Sequence, residues 1–167
     1  MTRDKYKTAI VTLSDKGYKG ERKDESAPLI KKLLPEEFYE VEEQVLLPDE
    51  QEELEKMLIH LSDDKHMDVI FTTGGTGFSE RDRTPEATLR VATRNAPGIA
   101  EAMRLHSLTV TPRAMLGRGA SVIRNRTLII NLPGSPKAVR ENLEYILPSL
   151  GHGLDILKGT GGECGGA

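Results

Sequence analysis

The stretch Met67-Asp-Val-Ile-Phe-Thr-Thr-Gly-Gly-Thr-Gly77 passes in one step from an apolar, β-branched run to a cluster of three glycines. Residues 67–73 read as a buried strand, because the run is too short for a helix and ends on turn residues. The glycines therefore stand where a strand hands over to a loop, a place where backbone can approach a ligand closely. Similar runs lie on either side. Residues 7–13 (KTAIVTL) predict a buried strand that stops at Ser14-Asp15, and residues 38–47 predict a second with partial alternation. Residues 122–123 and 127–132 flank Arg124-Asn125-Arg126 like the arms of a hairpin.

The segments between these strands carry helical spacing. Ser26 and Pro28 suit a helix start, Leu29, Ile30, Leu33 and Leu34 supply an apolar stripe, and Pro35 ends it. Asp49-Glu50-Gln51-Glu52 has the side-chain oxygen and the later acid of a capping box, with Leu54, Met57, Leu58 and Leu61 following at i, i+3, i+4 and i+7. Thr84-Pro85-Glu86 offers an N-cap, a first-turn proline and a first-turn acid for a helix through about Thr93. Ile99, Ala102 and Met103 mark a short helix after the break at Ala96-Pro97-Gly98. Val139, Leu143, Ile146, Leu147 and Leu150 line a last long one, which Pro148 bends or ends. Residues 16–25, charged and with two glycines, read as a loop.

Alternation of strands and helices predicts an α/β fold: a mostly parallel sheet, right-handed crossovers, helices on both faces and a β-hairpin near the C-terminal part. Ligands of such sheets bind beyond the carboxyl ends of the strands. The rim loops are then Ser14-Asp15, Pro48-Asp49, residues 74–84 and residues 132–135. The chain has 167 residues, enough for one ordinary domain, here residues 1–158. Residues 159–167, five glycines in nine and no apolar stripe, predict a flexible tail.

Composition excludes several classes. With 23 Lys and Arg against 26 Asp and Glu the net charge is −3, which is not the balance of a nucleic-acid binder. No run reaches the 18 or more apolar residues of a membrane span. The charged start lacks the apolar centre of a secretion signal, and the single Cys164 cannot form an internal disulfide, so the cytoplasm is the expected compartment. His60, His66, His106 and His152 include no pair three or four apart, so no zinc constellation is expected. Gly74 to Gly77 is not a Walker loop, lacks the Gly-x-Gly-x-x-Gly spacing of dinucleotide folds, and no Gly-x-Ser-x-Gly elbow occurs.

The charges that remain are segregated. Residues 36–55 hold ten acids and no base, whereas residues 81–126 hold nine of the twelve arginines, three acids and no lysine. Arginine's planar fork matches phosphate and carboxylate oxygens, so the cluster beside a glycine loop predicts anion recognition. Gly74, Gly75, Thr76 and Gly77 can turn successive backbone amides toward an anion. Asp82, on the same rim, and Asp49 each have a bland role as a turn or cap residue. A pair of carboxylates beside phosphate-binding amides also suits Mg²⁺, which takes one or two carboxylates plus substrate phosphates.

Thr72-Thr-Gly-Gly-Thr-Gly77 followed by Arg81-Asp82-Arg-Thr-Pro-Glu-Ala87 resembles the Mog/MoaB family of molybdopterin adenylyltransferases, which includes the G domain of gephyrin. The resemblance continues through residues 11–15, 47–50 and 127–136, nearly the whole chain apart from the tail. It implies a three-layer αβα fold, a homotrimer, and transfer of AMP from Mg-ATP onto the phosphate of molybdopterin with release of pyrophosphate, in molybdenum cofactor biosynthesis. It also implies contact with other enzymes of that cofactor. By this resemblance Asp49 and Asp82 are the catalytic acids and Mg²⁺ ligands, while Thr73, Gly74, Gly75, Thr76, Gly77 and Arg81 bind substrate. Ser14, Asp15, Pro133, Gly134 and Ser135 match segments lining the family's site. The chain departs from the family pattern at Gly117, where a serine is common, and at Ala27, where a glycine is. Two other readings compete: a MoaB-like carrier or scaffold that binds molybdopterin without adenylylating it, and a CinA-like nucleotide hydrolase, disfavoured by Arg81-Asp82 in place of Asp-Asp.

Overall fold

The computed structural model describes residues 4–161. Six strands make one sheet: β1 (Tyr6–Leu13), β2 (Tyr39–Leu47), β3 (Val69–Thr73), β4 (Arg94–Asn95), β5 (Ser121–Arg124) and β6 (Thr127–Leu132), in the order β2-β1-β3-β6-β5-β4. β2, β1, β3 and β6 run parallel, whereas β5 is antiparallel to both β6 and β4. β5 and β6 are the expected hairpin, and Asn125 turns it with a positive φ of 53°. The chain leaves β1 for the edge strand β2, then recrosses to β3 on the other side, so the direction of winding reverses between β1 and β3. A ligand crevice opens at that point, outside the carboxyl ends of the strands.

Period-two alternation sends the strand side chains into two cores. Ile10, Phe71, Ile130 and Leu132 pack on one face with Ile30, Val139, Leu143 and Leu150, which belong to α2 (Ser26–Leu33) and α6 (Pro136–Lys158), with α5 (Pro97–Leu108) beside them. Ala9, Val11, Ile70 and Ile129 pack on the other with Leu54, Leu58 and Leu61 and with Ala87 and Val91; these come from α3 (Gln51–Ile59) with the wider π-type turn that prolongs it (His60–Asp64), and from α4 (Thr84–Val91). Each fully buried Leu, Ile or Phe contributes about 1.5–3 kcal/mol of transfer free energy. The result is the three-layer αβα arrangement. Among the described residues no helix is long and apolar enough to cross a membrane.

Several local expectations change. The loop after β1 opens with a one-turn helix, α1 (Asp15–Tyr18), whose N-cap Ser14 accepts from the Gly17 amide at 2.9 Å. Asp49 does not cap α3: that position falls to Glu50, which makes no side-chain cap bond, so the capping box is not formed. Thr84 does not cap α4 either. It is the first helical residue after Arg83, and its hydroxyl instead donates to the Gly74 carbonyl at 2.9 Å. α5 starts at Pro97 and runs twelve residues, longer than expected. Pro148 does not end α6, because the proline is exposed and the buried Ile146, Leu150 and Leu154 hold the helix on the sheet to either side of it. β4 and a 3-10 turn over Pro112–Leu116 carry no sequence signal of their own. Gly159, in the left-handed region at φ 74°, closes α6, and the amides of 159–161 bond to carbonyls of its last turn; residues 162–167, which include Cys164 and most of the predicted tail, lie outside the described residues.

Candidate active site

The backbone at the end of β3 is fixed from three sides. Gly74 and Gly75 have φ of 93° and 68°. A Cβ on Gly74 would lie 2.3 Å from the Leu13 carbonyl oxygen, and one on Gly75 would lie 2.2 Å from Thr84 Oγ1, so only glycine fits either position. The Thr84 amide donates to the Gly75 carbonyl at 3.1 Å, and Thr73 Oγ1 donates to the Pro133 carbonyl at 2.7 Å, which ties the β3 loop to the one after β6. Arg118 locks the far side: its amide donates to the Thr76 carbonyl, Nε to the Gly77 carbonyl at 2.8 Å and Nη2 to the Asp82 carbonyl at 2.6 Å, while Nη1 pairs with Glu86. Burial is the largest influence on Glu86 and opposes its ionisation, but the Arg118 hydrogen bonds, the residue's own backbone amide and the charges of Arg118 and Arg83 together outweigh it and hold the carboxyl below its usual range.

A cleft of about 550 Å³ opens at this edge, lined by Ser14, Asp49, Thr73, Gly74, Gly75, Asp82, Gly134 and Ser135 among others. Its size is that of a small-molecule site. Asp49 and Asp82 thus share one cavity although 33 positions apart. Asp49 Oδ2 accepts from the Asp15 amide at 2.9 Å; its Oδ1 makes no hydrogen bond among the described residues and lies 3.5 Å from where a Gly75 Cβ would stand. Asp82 Oδ2 accepts from the Ser79 amide at 2.9 Å, and a Cβ on Gly77 would press to 2.9 Å of that oxygen. The turn role and a free oxygen therefore coexist on Asp82. Burial pushes the Asp49 carboxyl up, and the nearby charges of Asp15 and Asp82 add to the shift. A divalent cation would relieve that crowding, and the donor set fits one: two carboxylates, each with an oxygen uncommitted among the described residues, beside a polar cleft.

A second, more apolar cleft of about 260 Å³ lies across the same loops. Thr76 and Pro133 line it with Met103, Arg104, Arg113 and Gly117, so the β3 and β6 loops form a wall shared by two cavities. Gly134 and Gly74 meet in that wall, a Cβ on Gly134 falling 3.4 Å from Gly74 Cα.

Not every expected residue faces these two clefts. Asp15, Gly77 and Arg81 are absent from both; Asp15 and Arg81 pair instead on the outer rim, where they border a more open hollow that Asp49 and Asp82 also reach. The arginine cluster is largely committed to the protein: Arg81 binds Asp15 and Glu50, Arg104 binds the Gly117 and Gly119 carbonyls, Arg118 binds the loop, Arg124 binds Asp63, and Arg126 binds carbonyls at the end of α6. The basic residues that do line the large cleft are Arg22 and Lys23, held there by a loop that Asp24 organises through Thr12 and the amides of Ser26 and Ala27. Their only sequence signal is adjacency in a charged segment. The Gly117 amide donates to the Ala114 carbonyl at 3.1 Å and so does not stand in for a serine hydroxyl.

Residues 9–152 match the family described as a probable molybdopterin binding domain. The chain belongs to this family. It is 41% identical over 157 residues to a molybdopterin adenylyltransferase of Helicobacter pylori, covering 90% of this chain and 87% of that one. It is 41% identical to the molybdopterin adenylyltransferase of Escherichia coli K12, covering 86% and 74%. The crystal structure of the molybdopterin biosynthesis enzyme MoaB from Thermus thermophilus superimposes with a TM-score of 0.88 at 46% identity, covering 95% of this chain and 99% of that one.

Proposed function

We propose that this protein is a molybdopterin adenylyltransferase that joins AMP from ATP to the terminal phosphate of molybdopterin. The observation that carries the reading is the pair of cavities meeting at one loop. The polar cleft, with Arg22, Lys23, the N-terminal end of α6 and two carboxylates, suits a nucleotide triphosphate. The apolar cleft with Arg104 and Arg113 suits a flat heterocycle bearing an anion. The wall between them, residues 74–76 and 133–134, then binds the acceptor phosphate by its amides.

An oxygen of the molybdopterin phosphate attacks the α-phosphorus of ATP, the bond from that phosphorus to the bridging oxygen breaks, and pyrophosphate leaves. Attack and departure must lie nearly in line, so holding both reactants on one rigid wall supplies much of the acceleration. Asp49 and Asp82 would hold Mg²⁺, which when bound offsets the charge gathering on the phosphate oxygens. Arg22 and Lys23 would grip the departing pyrophosphate. Arg118 touches no reactant and keeps Gly77 and Asp82 in place. A homotrimer accompanies this reading: Leu105, Val110, Met115 and Leu116, all exposed around α5 and the turn after it, give an apolar surface for self-association. The cytoplasm, where ATP is available, is the corresponding compartment.

The test is to incubate the protein with Mg-ATP and molybdopterin and to measure adenylylated pterin and pyrophosphate, which form in equal amounts on this reading. Tight binding of molybdopterin without product selects the carrier reading instead.

A further inference from the structure

Asp15 resembles a substrate contact by sequence, yet it lines neither of the two clefts and both of its carboxylate oxygens are occupied. Its amide donates to Asp49 Oδ2 at 2.9 Å, and the Asp49 amide returns a bond to Asp15 Oδ1 at 3.0 Å. This reciprocal pair joins the end of β1 to the end of β2. Arg81, from the loop after β3, then closes on Asp15 with a two-pronged grip, Nε to Oδ2 at 2.6 Å and Nη2 to Oδ1 at 3.0 Å, and reaches Glu50 Oε1 at 2.8 Å. Three rim loops meet on one side chain. Arg81 holds the Asp15 carboxyl below its usual range. Its charge also offsets the repulsion between Asp15 and Asp49, which face each other with no other cation hydrogen-bonded to either among the described residues.

The geometry assigns Asp15 as a positioning residue: its carboxylate, gripped by Arg81 and accepting from the Asp49 amide, holds in place the backbone amide that pins one oxygen of Asp49 and thereby presents the other, Oδ1, to a divalent cation in the cleft. This rests on the adenylyltransferase reading only for the identity of the reaction. A carboxylate free to rotate would share its oxygens between cleft and solvent, whereas one pinned at Oδ2 keeps Oδ1 toward Gly75. Arg81 acts through Asp15 and does not touch substrate.

The experiment compares wild type with Asp15→Ala, Asp15→Asn, Arg81→Ala and the Asp15→Ala/Arg81→Ala pair. Thermal melts check the fold, Mn²⁺ binding is followed by electron paramagnetic resonance with α,β-methylene-ATP present, and kcat and KM are measured with Mg-ATP and molybdopterin. Residues that orient a metal ligand change metal affinity about 10- to 100-fold, so Asp15→Ala is expected to weaken Mn²⁺ by about tenfold. kcat falls by about 100-fold and KM for molybdopterin stays within about threefold, the split expected when geometry and not substrate binding is lost. Asp15→Asn, which keeps an acceptor for the Asp49 amide, recovers part of both losses. The double variant is no worse than Asp15→Ala alone. Unchanged Mn²⁺ affinity in Asp15→Ala overturns the assignment, as does a loss confined to KM or multiplicative losses in the double variant. Should Asp15→Ala not fold, Asp15→Asn and Arg81→Ala carry the same comparison. A wild type that makes no adenylylated product removes the function reading, while the Mn²⁺ measurement still decides the role of Asp15.

Discussion

The two ends of the parallel sheet carry similar side chains and use them differently. At the amino ends of the strands a cavity of about 440 Å³ is lined by Asp63, His66, Asp68, Asn125, Arg126 and Lys158 with their neighbours. There each acid is paired with a cation: Asp63 receives two bonds from Arg124 and one from Asn125, and Asp68 Oδ2 receives both the Lys158 ammonium at 3.0 Å and the Lys7 amide at 2.8 Å. At the carboxyl ends Asp49 and Asp82 accept only backbone amides, with no cation hydrogen-bonded to either among the described residues. The same residue type is neutralised where a cation reaches it and is left open to one where none does. What separates the two ends is the geometry of the loops: the glycine wall holds neighbouring backbone close to Asp49 and Asp82 without supplying a cation.

Mutation should break this contrast in a defined order. Asp82→Ala is expected to lower kcat by about 1000-fold, the scale of removing a principal electrostatic stabiliser, with molybdopterin affinity little changed. Equal loss of both, measured by steady-state kinetics and direct binding, would contradict a chemical role. Gly75→Ala comes next, because its Cβ collides with Thr84 and moves the wall: displacement of reacting groups by about 1 Å costs about 100-fold in rate, and the melting temperature should fall as well. At the opposite end, Asp63→Ala should leave kcat unchanged and reduce stability by about 1–2 kcal/mol, as for a charged hydrogen-bonded group that loses its partner, read from urea unfolding. Arg124 holds the Asp63 carboxyl below its usual range in the folded state, so this contribution is complete above the unfolded-state value and is lost as pH falls through the folded one. The stability gap between wild type and Asp63→Ala should therefore be full at neutral pH and close in strong acid. The smallest effect belongs to Gly117→Ser, which restores the hydroxyl common in the family. Its φ of −71° accepts a side chain, and the nearest atom to the new Cβ is the Ala114 carbonyl oxygen at 3.3 Å. Molybdopterin should bind about threefold tighter, the value of one modest hydrogen bond, by equilibrium titration.

Strands β1, β3 and β6 were legible because seven or so apolar, β-branched residues between turn signals leave few alternatives, and α3 because its stripe repeats through Leu54, Leu58 and Leu61. The glycine loop was legible as a place of close approach. Cap assignments failed at Asp49 and Thr84 for a common reason: their side chains had a better partner from a distant segment, the Asp15 amide for one and the Gly74 carbonyl for the other. α1 and β4 are too short to have a periodicity, and each exists because a neighbouring strand or cap receives its hydrogen bonds. The arginine cluster reads as anion binding in the sequence, but in the fold many of its members find carboxylates and carbonyls of the protein, whereas Arg22 and Lys23 line the cleft unannounced.

Residue order alone determined the alternation of strand and helix, the position of the glycine wall and the two acids that share its cleft, since these follow from periodicity, local turn chemistry and a motif of fixed spacing. Only the tertiary structure decided which charged groups are already partnered. That depends on distances of a few ångströms between segments tens of residues apart, and a chain of letters contains no such distances.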